Sequence, residues 1–190
     1  HSSNERIKVR FSFMDILNFK YKKIKKFFNR TEINILKKYC VKKHMNNDKN
    51  FDFLQGGNAD TFFYKDPLVE VLLENKKNIL EKELKIKLSS SYSFWRCYTY
   101  GAVLKEHLDR PSCEFSVTAF IDSDKKDWPI YMEDTPINLE IGDAVIYKGT
   151  DVKHSRKKFY GDYHIQAFLH YVDQNGPYKD YKGDENWRKK

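Results

Sequence analysis

Four segments rich in β-branched and aromatic residues follow one another in the second half of this chain. They read FWRCYTY, CEFSVTAFID, INLEIGDAVIYKG and YHIQAFLHYV. Turn-forming sequences such as DSDKKDWP and YGD separate them, which is the usual arrangement of short strands in a sheet. The sequence therefore predicts a mainly β fold whose second half is all β.

Two amphipathic helices are predicted upstream of these strands, where apolar residues recur three and four positions apart. The first helix begins at Thr31, its expected cap, which is followed by Glu32. The second begins near Asp66, with Pro67 in the first turn. The expected buried faces contain Ile33, Leu36, Tyr39 and Cys40 in the first helix, and Leu68, Val71, Leu72, Ile79 and Leu80 in the second. We expect both helices to pack on the strands.

The length of the chain, 190 residues, suits one domain. A chain of this size buries roughly 70% of its unfolded surface, which is enough for a real core. No internal repeat or low-complexity linker divides the sequence. We predict a single domain, 1–190, made of helical support over about residues 1–90, a strand core over about 91–175 and a polar C-terminal tail over 176–190.

The net charge of the chain is +8, because 35 lysines and arginines exceed 27 acidic residues. Lysine and arginine neutralise phosphates, so such a charge is compatible with nucleic-acid binding. Much of the excess lies in the segments FKYKKIKKFF and KKYCVKKHM, where we interpret it as a solvated surface. We therefore do not expect nucleic acid as a partner.

The cysteines and the hydropathy pattern bear on the compartment. Cys40, Cys97 and Cys113 are odd in number and not closely paired, which favours neither a disulfide framework nor a zinc ribbon. No run of about 18 apolar residues is present, so we predict no membrane-spanning helix. We expect reduced, packed thiols and a cytoplasmic protein.

His107 and Asp109 lie two residues apart in the sequence HLDR, shortly after the first predicted strand. Residues two apart on an extended chain point to the same face, so both side chains can contact one ion. His154 follows the strand-like sequence GDAVIYKG and supplies a second imidazole. Two histidines and one carboxylate on one face of a metal leave the opposite positions open, which is typical of non-haem Fe(II) oxygenases. Zinc is the main alternative.

The same residues carry a family resemblance. The segments RCYTYGAVLKEHLDR, EIGDAVIYKGTDVKHSR and GDYHIQAFLHYV, in this order, resemble the core of the Fe(II)- and 2-oxoglutarate-dependent dioxygenases, in particular the prolyl 4-hydroxylase-like branch. The resemblance spans roughly residues 93–173, about half of the chain. It implies a double-stranded β-helix, a cupin-like jelly roll, with the N-terminal helices packed on it.

The resemblance also implies an activity, in which case the single domain is catalytic. Its reaction converts O2 and 2-oxoglutarate to CO2 and succinate while a C–H bond of the substrate is hydroxylated. Fe(II) is then the cofactor, bound by His107, Asp109 and His154, with ascorbate as a stimulant. Tyr100 matches the tyrosine that binds the distal carboxylate of 2-oxoglutarate in relatives. The implied substrate is a prolyl residue of a peptide or protein, or else an amino acid or another small molecule.

The chain departs from the family at the basic residue that pairs with the distal carboxylate of 2-oxoglutarate. Relatives carry lysine or arginine there, and this chain has His164. Arginine is always charged and holds a carboxylate with two parallel bonds, whereas a neutral imidazole offers only one donor. We therefore expect Arg156, two residues after His154, to be the main anchor, supported by Tyr100 and His164. Arg110 is a lesser candidate.

The last predicted strand, YHIQAFLHYV, is expected to have one face toward the barrel and one toward the helices. The inward residues are then His164, Gln166, Phe168 and His170. The outward residues are Ile165, Ala167, Leu169 and Tyr171. This alternation assigns His164 to the interior, where the co-substrate is expected.

Two other functions are compatible with these residues. Oxidative demethylation of nucleic acid requires a positive groove that leads to the metal and aromatic residues that stack a flipped base. A non-catalytic, cupin-like metal-binding module keeps the barrel and the three ligands without turnover. Independently of these alternatives, we interpret Trp128, in the loop sequence WPIY, as a wall of the cavity mouth or as a structural plug.

Overall fold

The computed structural model describes residues 16, 18–46, 60–125 and 127–185. Within these residues the chain forms ten strands, which alternate with helices in the N-terminal half. The elements are β1 (Tyr21–Ile24), α1 (Arg30–Asn46), β2 (Thr61–Tyr64), α2 (Pro67–Leu84), β3 (Leu88–Thr99), β4 (Leu104–His107), a 3-10 helix (Pro111–Cys113), β5 (Phe115–Ser123), β6 (Ile130–Met132), β7 (Thr135–Ile137), β8 (Ala144–Lys148), β9 (His154–Arg156), β10 (Tyr163–Asp173) and a second 3-10 helix (Lys179–Asp184).

The strands form two antiparallel sheets. The larger sheet has the order β1-β8-β5-β10-β3-β2, and the smaller has the order β4-β9-β6-β7. β10 is central in the larger sheet, because it pairs with β3 on one side and with β5 on the other. Side chains from both sheets line one interior cavity. This arrangement confirms the predicted jelly roll with flanking helices.

The start of α1 differs from the prediction by its capping residue. The side chain of Asn29 accepts a hydrogen bond from the amide of Glu32 at 2.9 Å, and the amide of Asn29 donates to the Glu32 carboxylate at 2.8 Å. This reciprocal pair is a capping box. The cap is therefore Asn29, and Thr31 lies within the helix, because asparagine also satisfies a free amide.

The start of α2 agrees with the prediction. Asp66 caps the helix by accepting from the amide of Leu68 at 3.1 Å, and Pro67 occupies the first turn. Its buried face differs from the expected one: Val71, which was expected to be buried, is 58% exposed. The buried residues of α2 are Val69, Leu72, Leu73, Lys76, Leu80 and Leu84.

The main hydrophobic core lies between the helices and the larger sheet. It joins residues of α1 and α2 to the outward face of β10, where Ile165, Ala167, Leu169 and Tyr171 are buried, as predicted. The opposite face of β10 lines interior cavities. The three cysteines are buried and form no disulfide, which agrees with the expectation of packed thiols.

Both ends of the described chain contribute more to the barrel than the sequence predicted. β1 and β2 arise from the part expected to be helical support, and they form the two edges of the larger sheet. The sequence predicts a polar tail outside the strand core, yet Asp184 is buried and the hydroxyl of Ser91 contacts the carbonyl of Tyr181 at 3.3 Å. Residues 186–190 of that tail lie outside the described residues.

Candidate metal and co-substrate site

The three predicted metal ligands converge at one end of the smaller sheet. His107 is the last residue of β4, His154 is the first residue of β9, and the two are direct partners across the strand pair. Asp109 follows β4, and its amide donates to the carbonyl of Gly149 at 2.8 Å. One candidate ligand atom of each residue lies within 4.8 Å of the other two. The structure thus brings together residues that are up to 47 positions apart in the sequence.

The distances in this group fit a common ion. Each histidine Nε2 lies 3.5 Å from Oδ1 of Asp109. Ligands bound about 2.1 Å from an ion are roughly 3.0 to 3.4 Å apart at angles between octahedral and tetrahedral, so little movement is needed. His154 is 3% exposed and His107 is 37% exposed, which leaves the group open on the side of His107.

A backbone carbonyl fixes the orientation of each imidazole. Nδ1 of His107 lies 2.7 Å from the carbonyl of Lys105, and Nδ1 of His154 lies 3.0 Å from the carbonyl of Val152. A carbonyl only accepts, so each Nδ1 donates, and in the neutral imidazole each Nε2 then carries the lone pair. This second hydrogen bond fixes the ring and the tautomer, as is usual for metal-binding histidines.

The two oxygens of the Asp109 carboxylate have different surroundings. Oδ1 faces the histidines, whereas Oδ2 accepts from the hydroxyl of Ser116 at 3.3 Å. Burial raises the pKa of Asp109, but its contacts with His107 and His154 outweigh burial and hold this pKa well below its usual range. Asp109 is therefore an ionised acceptor of fixed orientation.

Gly149 is needed where the chain passes Asp109. A Cβ at this position would lie 2.5 Å from Oδ2 of Asp109 and 2.3 Å from the carbonyl oxygen of Cys113. Real Cβ atoms do not approach other atoms so closely, and backbone cannot yield as a side chain can. The glycine in the sequence IYKG therefore permits the loop after β8 to support the carboxylate.

A second group of possible ligand atoms lies behind the first. Asp109, Cys113 and His170 also offer atoms within 4.8 Å of one another. Nδ1 of His170 contacts the hydroxyl of Ser116 at 2.8 Å, and the Tyr92 hydroxyl contacts Sγ of Cys113 at 3.1 Å. Burial lowers the pKa of His170 to about 4, so its imidazole is neutral near pH 7. We interpret this group as support for Asp109.

The candidate metal ligands open into a cavity of about 180 Å³ with mostly aromatic walls. It is lined by Tyr92, Phe94, Tyr98, Leu104, His107, Asp109, Tyr147, His154, Phe168 and His170. No lysine or arginine of the described chain lines it. A group that approaches the ligands therefore meets apolar and phenolic surface, and the carboxylate of Asp109 is the one formal charge in the lining.

Tyr100, the residue expected to bind the distal carboxylate of 2-oxoglutarate, is not among the residues that line this cavity. β3 ends at Thr99, and Tyr100 lies in the following turn with 59% of its surface exposed. Tyr98, two residues earlier on the strand, is 1% exposed and lines the cavity. The sequence contains both tyrosines, and the position of the strand end decides which one points inward.

Arg156 is a buried cation without a carboxylate partner among the described residues. It is 3% exposed, its NH1 donates to the carbonyl of Trp128 at 2.6 Å, and its Nε has no hydrogen-bond partner. Its guanidinium lies 4.7 Å from the centroid of the Trp128 ring. Burial lowers the pKa of Arg156 to about 10, and the nearby Tyr98 and Tyr147 oppose this shift.

His164 lies beside Arg156 and is neutral. Burial, followed by the charge of Arg156, holds the pKa of His164 well below its usual range. Its Nε2 contacts Oε1 of Gln166 at 2.9 Å, while its Nδ1 has no partner. A small interior cavity is lined by these three polar residues, Arg156, His164 and Gln166, together with Phe120, Trp128 and Leu139. His164 therefore offers hydrogen bonding but no charge.

Trp128 and Arg110 each have a structural contact. Trp128 is 7% exposed, its Nε1 donates to the carbonyl of Lys157 at 2.7 Å, and it lines the small cavity beside Arg156 rather than the metal cavity. Arg110 forms an ion pair with Asp184 and does not line the metal cavity. The charge of Arg110 is thus already compensated.

Comparisons of sequence identify no relative. No protein-family model matches the chain, and no curated protein matches it significantly. Neither α-helix of the described chain, α1 or α2, has the length and apolar character needed to cross a membrane. The relationship of this chain to other proteins therefore rests on its fold.

Solved structures share that fold. The protein has the double-stranded β-helix of the Fe(II)- and 2-oxoglutarate-dependent oxygenases. A viral collagen prolyl hydroxylase from Paramecium Bursaria Chlorella virus-1, in complex with 2-oxoglutarate, matches with a TM-score of 0.62 and 13% identity over 82% of this chain and 97% of that one. A prolyl-4-hydroxylase from Pseudomonas putida matches with a TM-score of 0.65 and 13% identity over 84% of this chain and 96% of that one. HygX from Streptomyces hygroscopicus, with nickel and 2-oxoglutarate bound, matches with a TM-score of 0.65 and 8% identity over 87% of each chain.

Proposed function

We propose that the protein is an Fe(II)- and 2-oxoglutarate-dependent oxygenase that hydroxylates a C–H bond. The observation that carries this proposal is the convergence of His107, Asp109 and His154 at the wall of an aromatic cavity. Two imidazoles and one carboxylate on one side of an ion leave room for a chelating co-substrate and O2. The whole chain then acts as a single catalytic domain.

His107, Asp109 and His154 hold the metal in this proposal. The bound iron supplies the activation of O2 that C–H hydroxylation requires. The carbonyls of Lys105 and Val152 accept from each Nδ1, so the neutral imidazoles present Nε2 to the metal. Ser116 holds the second oxygen of Asp109, which favours binding through Oδ1 alone.

Arg156 anchors the distal carboxylate of 2-oxoglutarate in this proposal. Arg156 and His154 are two residues apart on β9, so they share a face and are about 6.8 Å apart along the strand. This span is comparable with the carbon chain of 2-oxoglutarate. A buried guanidinium without a carboxylate is unfavourable, and a bound dicarboxylate compensates its charge. In this proposal Tyr98 and His164 add hydrogen bonds, and Tyr98 takes the role expected of Tyr100.

The cavity walls suggest the kind of substrate group that reaches the metal. Phe94, Phe168 and Tyr92 present aromatic surface. No basic residue of the described chain lines this cavity, and Arg156, which lines the smaller cavity, is already assigned to 2-oxoglutarate in this proposal. We infer that the reacting group is uncharged, as a prolyl ring in a peptide or protein is. The names of two fold neighbours, both prolyl hydroxylases, support this choice. An uncharged group of an amino acid or another small molecule fits the same argument.

The test is formation of succinate from 2-oxoglutarate in the presence of Fe(II) and O2. We expect His107→Ala to abolish it, because two protein ligands hold iron poorly. His44→Gln is the matched control, because His44 lies on α1 outside the metal cavity. Full turnover in His107→Ala contradicts the ligand assignment. Metal binding without succinate in the wild type favours a non-catalytic module.

The substrate is tested with proline-containing peptides and with free amino acids. Addition of one oxygen atom to a peptide, detected by mass spectrometry and dependent on 2-oxoglutarate, supports prolyl hydroxylation. Hydroxylation of free amino acids alone assigns the enzyme to small molecules. Demethylation of a methylated oligonucleotide instead contradicts the proposed substrate class.

A further inference from the structure

Asp184, near the end of the described chain, has an enclosed carboxylate. Its side chain is 0% exposed, and both of its oxygens accept from Arg110, at 2.7 Å from NH1 and 2.9 Å from NH2. The hydroxyl of Tyr64 donates to Oδ2 at 2.6 Å. The backbone of Asp184 has a φ of 58°, a left-handed conformation that non-glycine residues seldom adopt. The carboxylate is therefore held in one defined place.

The partner of Asp184 is the residue directly after a proposed metal ligand. Arg110 follows Asp109 in the segment 108–110, which joins β4 to the 3-10 helix Pro111–Cys113 and has no regular structure of its own. Such a segment depends on individual contacts for its position. One contact is the hydrogen bond from the Asp109 amide to Gly149, and another is the two-bond pair of Arg110 with Asp184.

Arg110 also touches a wall of the cavity. Its guanidinium lies 4.7 Å from the centroid of the Tyr92 ring. Tyr92 lines the metal cavity, and its ring centroid is 4.5 Å from that of His170. The carboxylate of Asp184 thus fixes a cation that borders both the metal-ligand segment and an aromatic wall.

We propose that Asp184 is a positioning residue of the active site: by fixing Arg110 it sets the place of Asp109 relative to His107 and the place of Tyr92 in the cavity wall. This inference rests on the proposed function, because it concerns the same metal site. It assigns a role in metal binding to the C-terminal segment, 74 residues after Arg110.

Metal affinity is the direct measure of this role, with Mn(II) as a probe that requires no turnover. Asp184→Asn keeps the shape of the side chain and removes its charge. We expect the dissociation constant for Mn(II) to rise by about 3- to 10-fold, less than the 10- to 100-fold known for direct partners of a ligand, because Asp184 acts through Arg110. Glu185→Gln is the matched control, since Glu185 is exposed and adjacent. The control should bind Mn(II) like the wild type.

A second variant and a second ligand separate positioning from general damage. Arg110→Lys keeps the charge but loses the two parallel bonds, so it should also weaken Mn(II) binding. This variant provides the test if Asp184→Asn does not fold. The Michaelis constant for 2-oxoglutarate should change by less than about threefold in Asp184→Asn, because Arg156 lies elsewhere in the barrel. Unchanged Mn(II) affinity in folded Asp184→Asn or Arg110→Lys overturns the positioning role. Failure of the wild type to bind Mn(II) overturns the proposed function as well.

Discussion

Arg96 and Arg156 are both buried in the barrel, and their surroundings differ in one respect. Arg96 lies on the same face of β3 as Phe94 and Tyr98, and its Nε donates to the carboxylate of Asp60 at 2.9 Å. Arg156 lies on β9 and has the carbonyl of Trp128 as its hydrogen-bond acceptor, with no described carboxylate beside it. The charge of Arg96 is compensated by a carboxylate of the chain, whereas the charge of Arg156 has no described carboxylate beside it.

The difference indicates which arginine is structural and which is available to a ligand. Asp60 also accepts from the amide and the hydroxyl of Thr99, at 2.7 Å and 2.9 Å, so the Arg96 pair belongs to a larger network. A buried charge that the chain leaves uncompensated is unfavourable for folding unless something else compensates it. For Arg156 a carboxylate ligand is the natural complement.

The largest effect is expected on stability, at the paired arginine. Asp60→Asn removes the carboxylate from Arg96, and we expect the free energy of unfolding to fall by about 3 to 5 kcal/mol, because one charge of a buried pair then lacks its counterpart. Denaturant unfolding measures this change. Asp134→Asn is the control, because Asp134 is exposed in the turn between β6 and β7. A loss no larger than that of the control would contradict a structural role for the pair.

The second effect is expected on co-substrate binding, at the arginine without a carboxylate. Arg156→Ala should raise the Michaelis constant for 2-oxoglutarate by one to two orders of magnitude, since a charge-assisted bond contributes about 1.5 to 3 kcal/mol. In the ligand-free protein the same change removes an uncompensated charge as well as packing on Trp128, so stability should fall less than in Asp60→Asn. Thermal unfolding with and without 2-oxoglutarate checks both statements, because a ligand stabilises only the protein that binds it.

The outcome that breaks the comparison is also defined for Arg156. If Arg156→Ala leaves the Michaelis constant unchanged while His164→Ala raises it, the anchor is the histidine. Binding of 2-oxoglutarate should then weaken as the pH rises through the imidazole pKa. With Arg156 as the anchor, no such loss is expected between pH 6 and 8, because arginine stays charged there.

The third effect is a pH dependence of stability from His164. Its pKa lies well below 6.5 in the folded protein, whereas the unfolded chain takes up a proton near 6.5. The unfolded state therefore binds more protons at low pH, and stability falls as the pH drops below about 6.5, by at most about 1.4 kcal/mol per pH unit for one group. His164→Gln should show a shallower decline in urea unfolding between pH 6.5 and 5. Equal slopes for variant and wild type would contradict the neutral, buried state of this histidine.

The smallest effect concerns nucleic acid. Both buried arginines are enclosed, so neither is available to a phosphate backbone, and the surface lysines remain the source of any attraction. We expect affinity for a random duplex no tighter than the non-specific range of about 10⁻⁴ to 10⁻⁶ M, with a steep loss as salt rises. Fluorescence anisotropy over a salt series measures it. Tight binding that persists at high salt would favour the demethylase alternative.

The parts of the fold that could be predicted are those with strong local patterns. Alternation in YHIQAFLHYV predicted the two faces of β10, and the Asp66-Pro67 pair predicted the start of α2. β1 and β2 have only four residues each, and their pairing with β8 and β3 is set by long-range contacts that no local pattern contains. The capping box of Asn29 was missed because Thr31, a good cap as well, lies two residues later.

The sequence predicts those residues of the candidate site whose chemistry follows from residue type and spacing. It does not predict those whose orientation depends on where a strand ends. His107, Asp109 and His154 were selected by ligand type and spacing, and the structure brings them together. Tyr98 and Tyr100 are equivalent in the sequence, and only the end of β3 at Thr99 separates them. Asp184 carries no local signal, because its contact with Arg110 joins residues 74 positions apart.

The position of β1 has a consequence for solubility. β1 covers the hydrogen-bonding edge of β8, with Lys22 opposite Ile146 and Lys23 opposite Val145. Exposed lysines on an outer strand discourage pairing with other molecules. A chain shortened to begin after Ile24 would leave Ala144–Lys148, the sequence AVIYK, as a bare edge of high β propensity. Such a chain should self-associate through this edge. The four residues of β1 therefore protect the protein from aggregation by covering the edge of β8.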